Sequence, residues 1–466
     1  MESFLRMTTD QYRKLRSHLF PGDGKEAIAL ALCGRRNGKR FHGLLVNEIV
    51  RIPYDECSIR GEDLITWPTD RVLPPLLEKA SRRGMALMKI HSHPRGPASF
   101  SKLDDESDIE LFGSVCGGWI DDNLPHASAI MLPSGEILGR LISAEGKFSP
   151  VSSVKVVGDD LVFWHNSTVV PDRQGFTLRN AQAFGQGTVD KLRKLRVAVV
   201  GCSGTGSPVI EQLARLGVGY LILVDPDHVE EKNLNRILNS TRWDAEACAL
   251  KVDVQAWAIK AMGLGTEVET YPFDLFERTV IQAIAECDVV FGCMDGAEGR
   301  HLLNRLATFY SLPYFDVGVK LVADGNGGID QICGTVHYLQ PGKSSLLSRG
   351  VFSMEDVRAE GTKRTDPSHF EQQRKEKYIK GVQEDRPAVI TVNMFYASVA
   401  VNEFLARLHS YRLDPNSDYA IHRMSLSHFL FEKEGEQEPC ASLAHCVGRG
   451  DARPLLNMPE LGIIEA

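Results

Sequence analysis

Five strand-forming residues, Arg196-Val-Ala-Val-Val, run straight into Gly201-Cys-Ser-Gly204-Thr-Gly206-Ser-Pro208, and this junction constrains the fold more than any other stretch. A strand that must turn tightly into a helix calls for glycines, because only they enter left-handed backbone and close backbone contacts freely. Pro208 suits a first helical turn, where its missing N–H costs nothing. The pattern predicts a helix over 208–216 and a second strand over 220–224, the opening of a doubly wound, Rossmann-like α/β domain. Further strands are expected at 288–293, 313–317 and 334–339, and a helix at 392–408. Residues 341–388, rich in Ser, Lys, Arg, Glu and Gly, read as a mobile crossover loop.

With 466 residues the chain exceeds one core, and two domains are expected. Short apolar runs at 27–32, 43–50, 86–90 and 127–132 alternate with helix-like stretches, as in an α+β unit. The division reads as an α+β domain over 1–160, a connector over 161–192, the α/β domain over 193–412 and an extension over 413–466. No apolar run approaches the roughly 20 residues of a membrane span, and the N-terminus lacks a secretory apolar segment. Scattered cysteines fit a reducing compartment, so a cytoplasmic protein is expected. A net charge of -8 without a basic block argues against nucleic acid as a partner.

The first domain carries His91-Ser-His93-Pro, then Ser101-Lys-Leu-Asp104. Histidines at i and i+2 on a strand share a face, and a carboxylate from the next helix turn adds a third zinc ligand, leaving a fourth position for water. Zinc lowers the pKa of that water towards about 7, which makes a hydroxide nucleophile at neutral pH provided a carboxylate stands by to shuttle protons. Glu26 is the candidate, with Glu56 and Glu62 nearby in sequence. Ser101 and Asp104 also read as a helix-starting capping box, and the two roles are compatible.

This segment resembles the JAB/JAMM (MPN) metallopeptidases, over roughly residues 10–160. The resemblance implies cleavage of peptide or isopeptide bonds at the C-terminal glycine of ubiquitin-like proteins. It makes His91, His93 and Asp104 the ligands of one catalytic Zn²⁺, Glu26 the general acid/base and Ser101 an oxyanion stabiliser.

In the second domain Asp225 follows Gly201 by twenty-four residues, where a carboxylate can bond ribose hydroxyls. Turn and aspartate alone fit an NAD-binding oxidoreductase equally well. The next features, Asp227, Asn233, Arg236, Lys251 and the run Asp295-Gly-Ala-Glu-Gly-Arg300, bring cations and a carboxylate suited to a triphosphate. Here the chain resembles the ThiF/MoeB and ubiquitin-activating family, over roughly residues 175–410. The resemblance implies ATP-dependent adenylation of a C-terminal carboxylate. Gly201, Gly204, Gly206 and Asp225 would hold the nucleotide, Asn233, Arg236 and Lys251 its phosphates, and Asp295 Mg²⁺. Arg179 matches an arginine that relatives insert into a neighbour's ATP site, which implies a homodimer.

The departures also carry information. Ser203 replaces a glycine and Ile237 a glutamine common in relatives. Ser345 and Ser348 stand where a Cys-x-x-Cys often forms half of a structural zinc site, leaving Cys440 and Cys446 without evident partners, so no structural zinc is expected. Residues 341–388 contain no cysteine for a thioester. Either a partner takes the acyl group directly, or a cysteine elsewhere, such as Cys333 or Cys440, serves.

Together the resemblances imply a two-headed enzyme acting on a ubiquitin-like or sulfur-carrier protein ending in Gly. The pairing resembles fusions in bacterial ubiquitin-like conjugation operons, some linked to antiviral defence, where a conjugating enzyme follows. The cysteine-free loop tilts towards sulfur-carrier activation, where a sulfurtransferase follows. A non-catalytic module binding a ubiquitin-like partner is a further alternative.

Overall fold

The computed structural model describes every residue except 1, 121, 167–174, 325, 327, 369, 371–386 and 463–466. It divides into two compact units, one of Met1–Val169, Phe309–Ser311 and Cys446–Ala466, the other of Val170–Thr308 and Leu312–His445.

The first unit runs β1 (Glu2–Thr8), α1 (Thr9–Leu19), β2 (Ile28–Asn37), β3 (Phe41–Arg51), a ribbon of β4 (Ile59–Arg60) and β5 (Ile65–Thr66), α2 (Thr69–Arg83), β6 (Ala86–Ser92) and α3 (Lys102–Gly118). It continues with β7 (His126–Met131), β8 (Ile137–Ile142), β9 (Phe148–Pro150), β10 (Ser153–Val157) and β11 (Leu161–His165). A nine-stranded sheet orders them β11-β10-β1-β3-β2-β6-β7-β8-β9. Strand periodicity splits β2 between two cores. Ala29 and Ala31 pack with Leu15 and Leu19 of α1, while Leu30 and Leu32 face Leu73 and Leu77 of α2 and Leu111, Phe112 and Val115 of α3.

The second unit runs α4 (Leu178–Phe184), α5 (Gln186–Lys194), β12 (Arg196–Val200), α6 (Gly206–Leu216), β13 (Tyr220–Val224), α7 (Arg242–Glu246), α8 (Lys251–Met262), β14 (Glu267–Tyr271) and α9 (Arg278–Ala285). Then follow β15 (Val289–Gly292), α10 (Ala297–Phe309), β16 (Tyr314–Ala323), β17 (Ile329–Leu339), α11 (Met354–Thr365), α12 (Ile390–Leu408), β18 (Ile421–Ser425) and β19 (Leu430–Glu434). Its sheet orders them β14-β13-β12-β15-β16-β17-β18-β19, parallel from β14 to β16 and antiparallel beyond. The strand order reverses between β12 and β15, and ligand crevices of open α/β sheets form at such a point.

Three expectations need correction. The stretch 161–192 opens with β11, which pairs with β10: Leu161 and Phe163 are buried, and Val162 and Trp164 pack against the core of the first unit. Residues 413–466 are not one extension: β18 and β19 lengthen the second sheet, whereas Gly448 accepts from Gly34 N–H and Asp451 N–H donates to Arg35 O in the first unit. Nor is 341–388 wholly a loop. Ser345 and Leu346 are buried, and Ser353 and Asp356 form the capping box of α11. Residues 371–386 of that stretch lie outside the described residues.

Candidate metal cradle and nucleotide crevice

Strand register builds the first site. β6 pairs antiparallel with β2, Ile28 opposite His91, so Glu26 falls opposite His93 on the same face. Ser92 locks this end, its N–H donating to Ala27 O at 3.0 Å and its hydroxyl accepting from Ala27 N–H at 3.0 Å. The capping box of α3 then delivers Asp104, with Asp104 N–H donating to Ser101 Oγ at 3.1 Å and Ser101 N–H donating to the Asp104 carboxylate at 2.7 Å.

His91 Nε2 stands 2.9 Å from Asp104 Oδ1, His93 Nε2 3.5 Å from Asp104 Oδ2, and the two Nε2 atoms 3.1 Å apart. Ligands about 2.0–2.1 Å from a tetrahedral zinc stand about 3.3 Å from one another, so the donor set fits that ion. His93 Nδ1 lies 3.1 Å from Pro97 O, a contact that fixes the ring and presents Nε2 as the free ligand nitrogen. Burial lowers the pKa of His91, favouring the neutral ring that a metal requires. Burial opposes ionisation of Asp104, but its hydrogen bonds to both histidines more than offset this and hold it well below the usual carboxylate range.

Glu26 is buried, and its carboxylate joins His91 and His93 in a group whose ligand atoms lie within 4.8 Å of one another. Burial pushes its pKa up to about 7. Glu56 is exposed, and Glu62 is turned to the surface, where it pairs with Arg95 at 2.8 Å. Ser101 reaches the site through Asp104: its hydroxyl donates to Asp104 Oδ2 at 2.8 Å, a bond in use before any oxyanion role.

The second site gathers at the β12/β15 reversal. Gly201 has φ +92°, and a Cβ there would stand 2.7 Å from Cys293 O, so the turn after β12 lies against the turn after β15 that carries Asp295. Thr205 Oγ1 donates to Cys293 O at 3.3 Å across the same junction. Gly206 opens α6. Asp225 is buried, its carboxylate accepting from Cys202 N–H at 2.7 Å and Asp227 N–H at 3.0 Å, and burial raises its pKa. Lys251, at the start of α8, places Nζ 2.7 Å from Asp227 Oδ2 and 3.8 Å from Asp225 Oδ1.

Asn233 is buried and accepts from Glu230 N–H at 3.0 Å, shaping the turn that leads to Arg236. The Arg236 guanidinium donates to Lys232 O at 2.8 Å and to Asn235 Oδ1 at 3.0 Å. The Asn393 amide and the Arg236 stem fill the space that a Gly204 Cβ would take. Asp295 is exposed at the end of the β15 turn. Arg300, read from its run as part of this cluster, is instead paired with buried Asp316, its Nε donating at 2.9 Å. Arg179 is exposed on α4 and donates to Gln182 at 2.9 Å in its own helix.

The departures are accommodated locally. Ser203 O accepts from Ser207 N–H at 2.8 Å, and Ile237 is buried. Ser345 and Ser348 bond each other's backbone N–H at 2.9 and 3.1 Å. Cys440 neighbours them: its thiol lies 3.1 Å from Ser442 Oγ, and although burial opposes ionisation, hydrogen bonds led by Ser345 lower its pKa. Cys333 lines a cleft of about 400 Å³ with Lys320, Arg300 and Arg423.

Sequence reading missed Asn393, Lys89, Asp108 and Arg140. Asn393 lay unmarked inside an apolar helix pattern, and Lys89, two residues before His91, was the one available hint, a charged residue inside a strand that reads as buried.

Comparison with known proteins bears on the second unit. Ubiquitin-like modifier-activating enzyme 5 of Drosophila willistoni is 30% identical over 171 residues, 34% of this chain and 39% of that protein. Adenylyltransferase and sulfurtransferase UBA4 of Meyerozyma guilliermondii is 32% identical over 124 residues, 26% of this chain and 28% of that protein. The chain thus spans well under half the length of these curated relatives. A crystal structure of E. coli MccB with ATP aligns at 18% identity and a TM-score of 0.41, covering 59% of this chain and 76% of that one. The profile of the ThiF family matches residues 177–440, more than half of the sequence, and the chain belongs to that family.

Proposed function

We propose that the second unit adenylates the C-terminal carboxylate of a ubiquitin-like or sulfur-carrier protein, using ATP and Mg²⁺. The observation that carries this reading is the convergence of the glycine turn, Asp225, Lys251 and Arg236 at the strand reversal of a ThiF-family chain. In this reading Asp225 binds the ribose, Asn233, Arg236 and Lys251 the phosphates, and Asp295 the magnesium. A substrate carboxylate oxygen attacks the α-phosphorus, the bond to pyrophosphate breaks, and the cations offset the charge that develops on the leaving group. Arg179, exposed on α4 and bonded to Gln182 of its own helix, suits a role in a partner's site within a homodimer.

The named relatives include both a modifier-activating enzyme and an adenylyltransferase with a sulfurtransferase. Bacterial ubiquitin-like conjugation, including antiviral systems, is the reading adopted, with sulfur-carrier activation as the alternative. The deciding test is pyrophosphate release from ATP with a panel of both protein classes ending in Gly. Release with one of them, lost in Asp295→Ala, is expected; a silent panel overturns the proposal, and a sulfur carrier as sole substrate moves it to the alternative.

A second activity rests on the His91, His93 and Asp104 triangle: zinc-dependent hydrolysis at the C-terminus of the same protein, as precursor processing or deconjugation. Bound zinc would supply Lewis acidity at that triangle. Glu26, poised near neutrality by burial, takes a proton during attack and returns it to the leaving amine. Cleavage of a fusion after the terminal glycine is expected, lost in Glu26→Gln with zinc content intact. Wild-type cleavage by Glu26→Gln removes this role. Two heads recognising one tail raise its local concentration for each other.

A further inference from the structure

Directly behind the metal cradle lies a buried ion cluster that the proposed chemistry does not use. Lys89 on β6 pairs with Asp108 on α3, and the side chains are only 4% and 0% exposed. Lys89 Nζ also donates to Ser107 Oγ at 3.2 Å. Arg140 on β8 donates to Asp108 Oδ2 at 2.7 Å and pairs with Asp105. Its guanidinium is clamped between two rings, 3.9 Å from the Phe100 centroid and 3.8 Å from that of Phe148. Lys89, Ser128 and Arg140 share one row across β6, β7 and β8.

The spacing of these charges matches the spacing of the ligands. Lys89 precedes His91 by two strand positions, an axial step of about 6.6 Å. Asp108 follows Asp104 by four helix positions, a step of about 6 Å. Strand and helix therefore meet in two rungs, Lys89 with Asp108 and His91 with Asp104. A slide of α3 along β6 would break both rungs together. Burying full charges is costly unless they are paired, so the inner rung tolerates very little displacement. The Phe100 clamp extends the constraint to the residue before the Ser101 cap.

We infer that Lys89, Asp108 and Arg140 are positioning residues, whose buried ion cluster sets the height of α3 so that Asp104 completes the metal triangle. This rests on the zinc reading above. The test uses the full chain and compares wild type, Asp108→Asn, Lys89→Met and a core control, Leu141→Ala, for Zn²⁺ affinity by chelator competition, Co²⁺ ligand-field absorption and thermal unfolding. Displaced supports of metal ligands typically cost about 10–100-fold in affinity. Asp108→Asn is expected to lose roughly that much, with a weakened tetrahedral Co²⁺ spectrum. Lys89→Met, which leaves Asp108 paired with Arg140, loses less. Leu141→Ala lowers the melting temperature and leaves affinity unchanged.

Unchanged affinity in Lys89→Met and Asp108→Asn, or an equal loss in Leu141→Ala, overturns the inference while the zinc reading stands. If Asp108→Asn does not fold, Lys89→Met decides. Absence of Zn²⁺ binding by the wild type removes the zinc reading and the inference with it.

Discussion

The metal cradle and the nucleotide crevice both form where strands end, yet they are prepared in opposite ways. In the first, functional side chains already meet one another: His91, His93 and Asp104 lie within 3.5 Å in a ring of contacts, and Glu26 is buried beside them. In the second, the pre-formed feature is backbone, a turn held against Cys293, while Lys251 and Arg236 are engaged by Asp227 and by local oxygens. Rigid, mutually contacting donors suit the zinc role proposed for the first site, whereas cations held on exchangeable partners suit the nucleotide role proposed for the second. The contrast says that side-chain identity governs the first site and backbone conformation the second.

The strongest way to break this contrast is His91→Ala with His93→Ala. Two of three donors vanish, and bound zinc should fall from roughly one per chain to background by elemental analysis. Retained zinc would mean that the triangle is not the metal site. Next in size is Gly201→Ala, which forces a methyl-bearing residue to φ +92° against Cys293 O. The backbone term alone is about 1–2 kcal/mol, and tenfold weaker ATP binding corresponds to about 1.4 kcal/mol. Titration with ATP should show a loss of at least that order, and wild-type affinity would undercut the backbone account. The smallest effect is expected for Asp227→Asn, which frees Lys251 from a carboxylate whose side chain is 67% exposed. An exposed pair is worth about 0–1 kcal/mol, so ATP should bind equally or up to roughly fivefold tighter. Clear weakening would show that Asp227 contributes to nucleotide binding rather than holding the lysine in reserve.

Much of both sites was legible because their signals are local. A strand, glycines and a helix start within thirteen residues, Arg196 to Pro208, leave few folds open, and Ser101 with Asp104 announces a helix cap within four. Arg300 was harder to read because its partner, Asp316, lies on the next strand and nothing beside Arg300 in sequence signals the pairing. The stretch 341–388 misled for another reason. Its polar composition describes an exposed helix such as α11 as well as it describes a loop.

The sequence by itself determined the strand–turn–helix at Arg196–Pro208 and the helix cap at Ser101 and Asp104, which depend on neighbours within a turn or two, and it carries the spacing of His91, His93 and Asp104 and the order of the glycine turn, Asp225, Asn233, Arg236 and Lys251. Tertiary structure decided which of three glutamates stands beside the histidines, which cations are already paired, how 413–466 divides between units, and that Lys89 and Asp108 form a buried ion pair. The physical reason is that burial and pairing are properties of distance in space. Residues nineteen apart, such as Lys89 and Asp108, acquire a common environment only when a strand and a helix have packed.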